Sequence, residues 1–233
     1  MTAIMITGAS KGIGRETAQL LASPHTRFDQ LILVGRKSDY FDKTTADIRA
    51  LAKGKEVVQI EADLSDPSIV TEIFQTLKEK GIALNVIVNN AGFTKPASVN
   101  ETSMEDFEQT MQVNLYSPFR IVQMALRQRH PLTHIVNVAS TAGITGRAGW
   151  LSYSASKAAL INMSEVLRDE LKPFNIEVIC ISPGRCATDL RATLAPDEDP
   201  STIMQPQQVA EVIELMISNT GALLHSQNLV VRT

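Results

Sequence analysis

The feature that most constrains the fold is a regular alternation of short apolar segments with longer amphipathic segments along the chain. The short segments are rich in Val and Ile and stay apolar through their length, which is typical of strands buried on both faces of a sheet. This alternation predicts an α/β fold with a doubly wound parallel sheet, in a single domain over residues 1–233. The predicted strands are Ala3–Thr7, Gln30–Val34, Glu56–Glu61, Asn85–Asn89, His134–Ala139, Glu177–Ser182 and Asn228–Val231.

The segments between these strands are predicted to be helices. One helix is expected to begin at Pro67, after a cap at Ser65 or Asp66, because a proline at the first helical position loses no hydrogen bond. Asp39 and Asp42 are assigned to a loop. The predicted helices are Gly12–Leu21, Thr44–Ala52, Pro67 to about Lys80, about Ser103–Asn114, Pro118–Gln128, Tyr153–Leu171 and Pro206–Ser218.

Composition narrows the classes of function. Hydrophobic residues make up 44% of the chain and charged residues 20%, which excludes a disordered protein. The net charge of −3 gives no overall electrostatic case for nucleic acid. No apolar run approaches the roughly 20 residues that span a bilayer, and no secretory signal is visible. We therefore expect a cytoplasmic protein with neither nucleic-acid nor membrane partners.

Cysteines and histidines predict neither a disulfide scaffold nor a metal site. Cys180 and Cys186 are too few for such a scaffold. Cys180 is expected to pack in a strand as a small apolar residue, and a catalytic thiol is disfavoured. No metal-ligand spacing joins the cysteines to the histidines, which are His25, His130, His134 and His225.

A glycine-rich turn connects the first predicted strand to the first predicted helix. Its residues are Gly8, Ala9, Ser10, Lys11, Gly12, Ile13 and Gly14. Glycines at such a turn let the backbone approach a pyrophosphate, and the helix N-terminus supplies free N–H groups. The spacing, G-x-x-x-G-x-G, predicts a dinucleotide site of the Rossmann type. The alternative is a tight turn that holds no ligand.

The end of the second strand indicates which dinucleotide is preferred. An acidic residue commonly lies there and bonds the free 2′-hydroxyl of an NAD ribose. Here Arg36 takes that place, and a guanidinium fits a 2′-phosphate. Lys11 is a second candidate cation. The sequence thus favours NADP(H) over NAD(H), with ordinary surface charge as the alternative reading of both residues.

A serine, a tyrosine and a lysine form the second group with chemical potential. Tyr153 and Lys157 are four residues apart on a predicted helix and share one face. A nearby ammonium stabilises a phenolate, which makes a tyrosine a better proton donor and acceptor at neutral pH. Ser140 follows a predicted strand at the ligand edge. A Tyr-x-x-x-Lys pair alone is common, so its specificity comes from its conjunction with the glycine turn.

Taken together, these residues resemble the short-chain dehydrogenase/reductase family in its single-domain form. The resemblance covers nearly the whole chain and follows the family's motif order. Beyond the glycine turn it rests on Asp63, Asn89-Asn90-Ala91-Gly92, Asn114, Ser140, Tyr153-Ser154-Ala155-Ser156-Lys157, Pro183-Gly184 and Thr188.

The resemblance implies a role for each of these residues. Tyr153 is expected to be the general acid in reduction, Ser140 to orient the carbonyl, and Lys157 to bond the nicotinamide ribose. Asn114 is expected to hold a water in a proton relay. The implied cofactor contacts are Asp63 and Leu64 at the adenine, Arg36 and Lys11 at the 2′-phosphate, and Gly8, Ser10, Gly12, Ile13 and Gly14 at the pyrophosphate. Asn90, Ala91 and Gly92 are expected near the ribose, with Tyr153, Lys157, Pro183, Gly184 and Thr188 towards the nicotinamide.

The substrate is expected to contact residues near the ends of three strands. The candidates are Phe93, Ala142, Ile144, Trp150, Cys186 and Leu190. Because they are mostly apolar, a hydrophobic ketone or aldehyde is favoured, with Arg147 and Arg191 as possible polar anchors. The polar segment from Arg191 to Gln205 is expected to form a mobile lid.

The leading hypothesis is an NADP(H)-dependent carbonyl reductase that acts on a small-molecule carbonyl or alcohol. Two alternatives are an NAD-linked alcohol dehydrogenase, which Arg36 argues against, and a non-catalytic dinucleotide sensor. The sensor is disfavoured because the catalytic residues are intact. A homo-oligomer, either a dimer or a tetramer, is expected from the resemblance.

Overall fold

The computed structural model describes residues 1–224 and 227–232, and all structural statements below concern these residues. The strands are β1 (Ala3–Thr7), β2 (Gln30–Gly35), β3 (Glu56–Glu61), β4 (Leu84–Asn89), β5 (His134–Val138), β6 (Glu177–Pro183) and β7 (Asn228–Val231). The helices are α1 (Gly12–Leu21), α2 (Asp39–Leu51), α3 (Ile69–Glu79), α4 (Met104–Met111), α5 (Ser117–Arg127), α6 (Leu151–Leu171), α7 (Asp189–Leu194) and α8 (Pro206–Met216).

The strands form one parallel sheet in the order β3-β2-β1-β4-β5-β6-β7. The chain therefore winds outward from β1 in one direction, returns to β4, and winds outward in the other. Ligands bind at such a reversal, beyond the carboxyl ends of the strands, because the connecting loops separate there. The doubly wound parallel sheet predicted from the sequence is confirmed.

Both faces of the sheet are covered by helices. Ala3 and Met5 of β1 point to the layer that contains α3, α5 and α6, whereas Ile4 and Ile6 point to the layer of α1, α2 and α8. Every residue of β1 and β2 is buried, which explains their continuous apolar sequence. None of the described helices combines the length and the apolarity needed to cross a membrane.

Two predicted helix starts were wrong. Helix α2 begins at Asp39 because Ser38 caps it, its Oγ accepting a hydrogen bond from Phe41 N at 3.2 Å. Asp39 and Asp42 thus lie in the first helical turn, where carboxylates are favourable, rather than in a loop. Helix α3 begins at Ile69, two residues after the predicted start, because Asp66 instead accepts from Ser68 N at 2.7 Å in a preceding turn.

The two helices predicted around residues 103–128 form one helical run. Helices α4 and α5 are joined by a π-helical segment, Gln112–Tyr116, whose centre is Asn114. A wide π turn inside an α-helix is often found at a functional site. Helix α7, in the segment predicted to be a lid, was not expected from the sequence because it spans only six residues.

Candidate functional site

The glycine turn after β1 lies against the segment after β4. Gly8 and Gly12 adopt φ values of +65° and +56°, a region that favours glycine. Asn90 holds the two segments together: its Nδ2 donates to Thr7 O at 2.9 Å and its backbone N to Thr7 Oγ1 at 3.0 Å. A Cβ at Gly8 would meet Ala91 Cα at 2.8 Å, so the segments touch because glycine has no side chain.

Gly14 packs against the backbone of the turn and does not line the cleft. A Cβ there would lie 2.3 Å from Gly8 O and 2.5 Å from Asn90 Nδ2. We expect Gly14→Ala to lower the free energy of unfolding by about 2 to 3 kcal/mol, because backbone must move to make room. Gly146→Ala is the matched control, since no atom lies within 4 Å of the added Cβ. Urea denaturation checks this, and equal stability of the two variants would contradict it.

One continuous cleft runs along the carboxyl ends of the strands. At one end, where the adenine is predicted to bind, lie Arg36, Asp63 and Leu64. Arg36 is exposed and directly follows β2, at the position where an acidic residue would bond a free ribose hydroxyl. Asp63 Oδ1 accepts hydrogen bonds from Ser65 N at 3.0 Å and Ser65 Oγ at 2.8 Å, which fixes its carboxylate at the cleft wall.

The glycine turn forms the middle of the cleft, with Ser10, Lys11, Gly12 and Ile13 among the lining residues. Helix α1 starts there without a side-chain cap, so its first N–H groups are available to an anion. The ammonium of Lys11 forms an ion pair with Asp189, the first residue of α7. A 2′-phosphate would therefore compete with Asp189 for Lys11.

Ser140, Tyr153 and Lys157 meet beyond the glycine turn. Ser140 follows β5, and its Oγ accepts from Ala142 N at 3.1 Å. Tyr153 and Lys157 are buried on one face of α6, and Lys157 Nζ lies 5.9 Å from the centroid of the Tyr153 ring. Lys157 Nζ donates to Val138 O at 2.8 Å and makes no other hydrogen bond within the described residues. Two of its three donors remain for ligand hydroxyls.

Burial governs the proton affinities of this pair. It lowers the pKa of Lys157 to about 8, because the charged ammonium loses solvation. Burial also raises the pKa of Tyr153, since the phenolate would be desolvated. A hydrogen bond from Ser140 and the positive charge of Arg191 act in the opposite direction and lower it. Arg191, a residue to which the sequence assigned no catalytic part, thus adds a positive charge that favours the phenolate of Tyr153.

Asn114 does not line the cleft. Its side chain is buried, with Oδ1 accepting from Phe93 N at 2.8 Å and Nδ2 donating to Phe93 O at 2.9 Å and Ser156 Oγ at 3.0 Å. Asn114 therefore ties the segment after β4 to helix α6. This geometry makes Asn114 a positioning residue for Phe93 and for helix α6, while the water relay stays a prediction.

The segment after β6 closes the other end of the cleft, where the nicotinamide is predicted to bind. Pro183, Gly184 and Thr188 line the cleft together with Asn90, Ala91 and Gly92. Gly184 N donates to Val231 O at 2.8 Å, and a Cβ at Gly184 would meet Arg232 Cβ at 3.0 Å. Thr188 caps α7, its Oγ1 accepting from Arg191 N at 3.2 Å.

Four of the six predicted substrate contacts line the cleft: Phe93, Trp150, Cys186 and Leu190. The other two do not. Ala142 is buried in one cluster with Tyr153 and Leu194, so it packs behind the tyrosine and not in the cleft. Ile144 is 53% exposed and lies outside the cleft, because the short 3-10 turn at Thr141–Gly143 directs the chain away from it.

Sequence reasoning did not assign several residues that line the cleft. They are Val34, Gly35, Ala62, Ser65, Gln109, Val113, Val138, Ala139, Thr141, Arg185, Asp189 and Leu194. Most come from loops or strand ends with no motif of their own. The ion pair between Lys11 and Asp189 spans most of the chain, so no local signal predicts it. His225, included above among the histidines without metal-ligand spacing, lies outside the described residues.

Comparison with known proteins gives consistent matches. A family model described as short chain dehydrogenase matches residues 2–199. A 3-oxoacyl-(acyl-carrier-protein) reductase of Aquifex aeolicus is 30% identical over 236 residues, with coverage of 95% of this chain and 94% of the reductase.

Two solved structures are similar to this fold over nearly the whole chain. A short chain dehydrogenase from Burkholderia cenocepacia J2315 in complex with NADP gives a TM-score of 0.85 at 27% identity, covering 99% of this chain and 96% of its own. A 4-hydroxyisoleucine dehydrogenase complexed with NADH gives a TM-score of 0.86 at 24% identity, covering 99% and 97%, and supports the fold alone.

Proposed function

The chain belongs to the short-chain dehydrogenase family, and from this premise we propose that it is an NADP(H)-dependent carbonyl reductase with Tyr153 as its general acid. As a member of that family it is an oxidoreductase that acts on a CH–OH or C=O group and uses a dinucleotide cofactor. The observation that carries the finer proposal is the convergence of Ser140, Tyr153 and Lys157 on a cleft whose far end is lined by Arg36.

The residues present fit a dinucleotide. The uncapped start of α1 offers N–H groups to a pyrophosphate, and Lys157 keeps two donors for ribose hydroxyls. Arg36 offers a guanidinium to a 2′-phosphate, while the end of β2 lacks a carboxylate for a free ribose 2′-hydroxyl. When bound, the reduced nicotinamide supplies a hydride to the carbonyl carbon.

Residues of the chain itself transfer the proton that the reduction requires. Ser140 Oγ lies beside the phenol of Tyr153 and orients the carbonyl oxygen of the substrate. Tyr153 donates its proton to that oxygen, so that C=O becomes CH–OH. The ammonium of Lys157 and the charge of Arg191 stabilise the phenolate that forms, and water then returns a proton to it.

The first test is a titration of the purified protein with NADPH and with NADH, followed by NADPH oxidation on a panel of ketones and aldehydes. We expect NADPH to bind more tightly and to be oxidised by at least one carbonyl. Failure of both nucleotides to bind would overturn the proposal.

The lowered pKa of Lys157 predicts how reduction depends on pH. Because this pKa is about 8, the ammonium that stabilises the developing phenolate is present below that pH and is lost above it. We expect kcat/KM for reduction to be constant near pH 7 and to fall about tenfold per pH unit well above pH 8. Steady-state kinetics between about pH 6 and about pH 10 measure this. A flat profile through pH 9 would show that Lys157 does not titrate in the free enzyme.

For two further properties the sequence-based expectations stay predictions. They are the homo-oligomeric state, dimer or tetramer, and the cytoplasmic location. Sedimentation of the purified protein measures the first of these directly.

A further inference from the structure

The substrate end of the cleft is more cationic than its apolar sequence suggests. Arg147, Arg185 and Arg191 all line it. Within the described residues, Glu198 is the one carboxylate that pairs with any of the three, and it pairs with Arg191 and Arg185. Arg147 has no carboxylate partner there. The neighbouring Asp189 is engaged with Lys11 across the cleft. A positive potential therefore remains next to the place where the substrate enters.

Two of these cations converge on one aromatic ring. The guanidinium carbons of Arg147 and Arg191 each lie 5.4 Å from the centroid of the Trp150 ring. Arg147 comes from the loop after β5 and Arg191 from α7, so the fold brings them together from distant parts of the sequence. Contact with the ring restrains both side chains, which lowers the entropy that they lose when they bind a ligand.

Arg191 is held in place with part of its guanidinium still free. Its Nε and Nη2 donate to Glu198 at 2.5 and 2.7 Å, and its side chain is 17% exposed. Within the described residues its Nη1 donates no hydrogen bond. Arg147 is exposed and has no carboxylate partner there. A planar guanidinium with a free edge is suited to the oxygens of phosphate or carboxylate.

We propose that the substrate reduced in the reaction proposed above carries a phosphate or carboxylate group, which Arg147 and Arg191 bind beside Trp150. The inference rests on the proposed function, since it assigns the substrate class of the same site. It replaces the purely hydrophobic carbonyl that the apolar lining favoured. Phe93, Leu190 and Leu194 then surround the carbon skeleton between this group and the reacting carbonyl.

The position of Arg191 relative to the catalytic tyrosine fits this arrangement. Its charge lowers the pKa of Tyr153, so the two groups are within electrostatic reach of each other. Arg191 also lies over the Trp150 ring, which packs in one cluster with Tyr153, so an anion at Arg191 and a carbonyl at Tyr153 would occupy neighbouring parts of the cleft. The substrate class is therefore a carbonyl compound with an acidic group.

Trp150 allows a direct test of anion binding, because it is the single tryptophan of the chain. The full-length protein is saturated with NADP⁺, which occupies the cofactor side, and is titrated with inorganic phosphate or acetate at constant ionic strength. We expect a saturable change in Trp150 fluorescence with a dissociation constant on the order of 1 mM. Arg147→Gln and Arg191→Gln should each weaken it by about tenfold or more. Arg127→Gln, on an exposed site of α5 outside the cleft, is the matched control.

The second measurement compares carbonyl probes that differ only in charge. The pairs are dihydroxyacetone phosphate with dihydroxyacetone, and 4-carboxybenzaldehyde with its methyl ester. We expect the anionic member to have the higher kcat/KM, mainly through a lower KM. The ratio within each pair should fall about tenfold or more in either arginine variant. The ratio cancels general damage to the enzyme, and the two pairs distinguish phosphate from carboxylate.

The outcomes separate this inference from the proposed function. Reduction of the neutral probes as efficiently as the anionic ones, or an unchanged ratio in both variants, overturns the anionic substrate and leaves the reductase intact. Absence of any saturable phosphate- or acetate-dependent signal in the wild-type complex with NADP⁺ also overturns it. If NADP⁺ itself does not bind, the proposed function fails first, and the anionic substrate fails with it.

Discussion

Tyr153→Phe is expected to lower kcat for carbonyl reduction by a factor of about 100 to 10,000, with little change in the affinity for NADPH. The variant removes one hydroxyl, the group that donates a proton to the substrate oxygen, and keeps the ring that packs against Ala142 and Leu194. A general acid acts only as charge develops on that oxygen, so its loss appears in kcat rather than in cofactor binding. Stopped-flow or steady-state NADPH oxidation measures the first quantity, and fluorescence titration the second.

The matched control for this experiment is Tyr116→Phe. Tyr116 is 48% exposed in the π-helical segment and does not line the cleft, so this variant should behave like the wild type. A Tyr153→Phe protein that kept wild-type turnover would remove the general acid from the mechanism. Loss of turnover together with loss of NADPH binding would instead indicate that the cleft had been damaged.

Arg36→Asp is expected to change the cofactor preference. Loss of a charged hydrogen bond to the 2′-phosphate costs about 1.5 to 3 kcal/mol, and the new carboxylate repels the phosphate while it accepts from a free ribose hydroxyl. We therefore expect the ratio of kcat/KM for NADPH to that for NADH to fall by about 100-fold or more. Kinetics with both nucleotides at one saturating carbonyl concentration measure the ratio.

Lys37→Asp makes the same change of charge at the adjacent position and is the control. Its side chain is 84% exposed, lies outside the cleft and, among the described residues, pairs with Glu61 alone, at 3.3 Å. Nucleotide preference in this variant should move far less than in Arg36→Asp. If Arg36→Asp left the preference unchanged, Arg36 would not select NADP(H). Arg36 would then no longer count against an NAD-linked alcohol dehydrogenase.

Much of the site could be predicted because it is encoded in short segments at strand ends. The turn from Gly8 to Gly14 and the residues Ser140, Tyr153 and Lys157 were predicted as a site, and all but Ala9 and Gly14 line the cleft. Helix ends were less predictable, since α2 and α3 begin where Ser38 and Asp66 make side-chain bonds that a pattern of apolar residues does not reveal. The π-helical turn at Asn114 has no sequence signature of this kind.

The residues at the substrate end of the cleft could be predicted only in part from their local sequence. Ile144 was expected in the cleft from its position near Ser140, yet a 3-10 turn carries it out to solvent. Arg147 and Arg191 were considered only as possible anchors. Their shared contact with Trp150 depends on how α7 folds back over the cleft.

The sequence by itself determined the strand and helix alternation, the glycine-rich turn after β1 and the basic residue after β2, because each depends on residues within one βαβ unit. Only the tertiary structure decided which cations meet. Lys11 pairs with Asp189, and Arg191 lies over the same Trp150 ring as Arg147, through segments that follow different strands. These contacts are set by the parallel sheet, which gathers the carboxyl ends of all its strands at one edge whatever their separation in sequence.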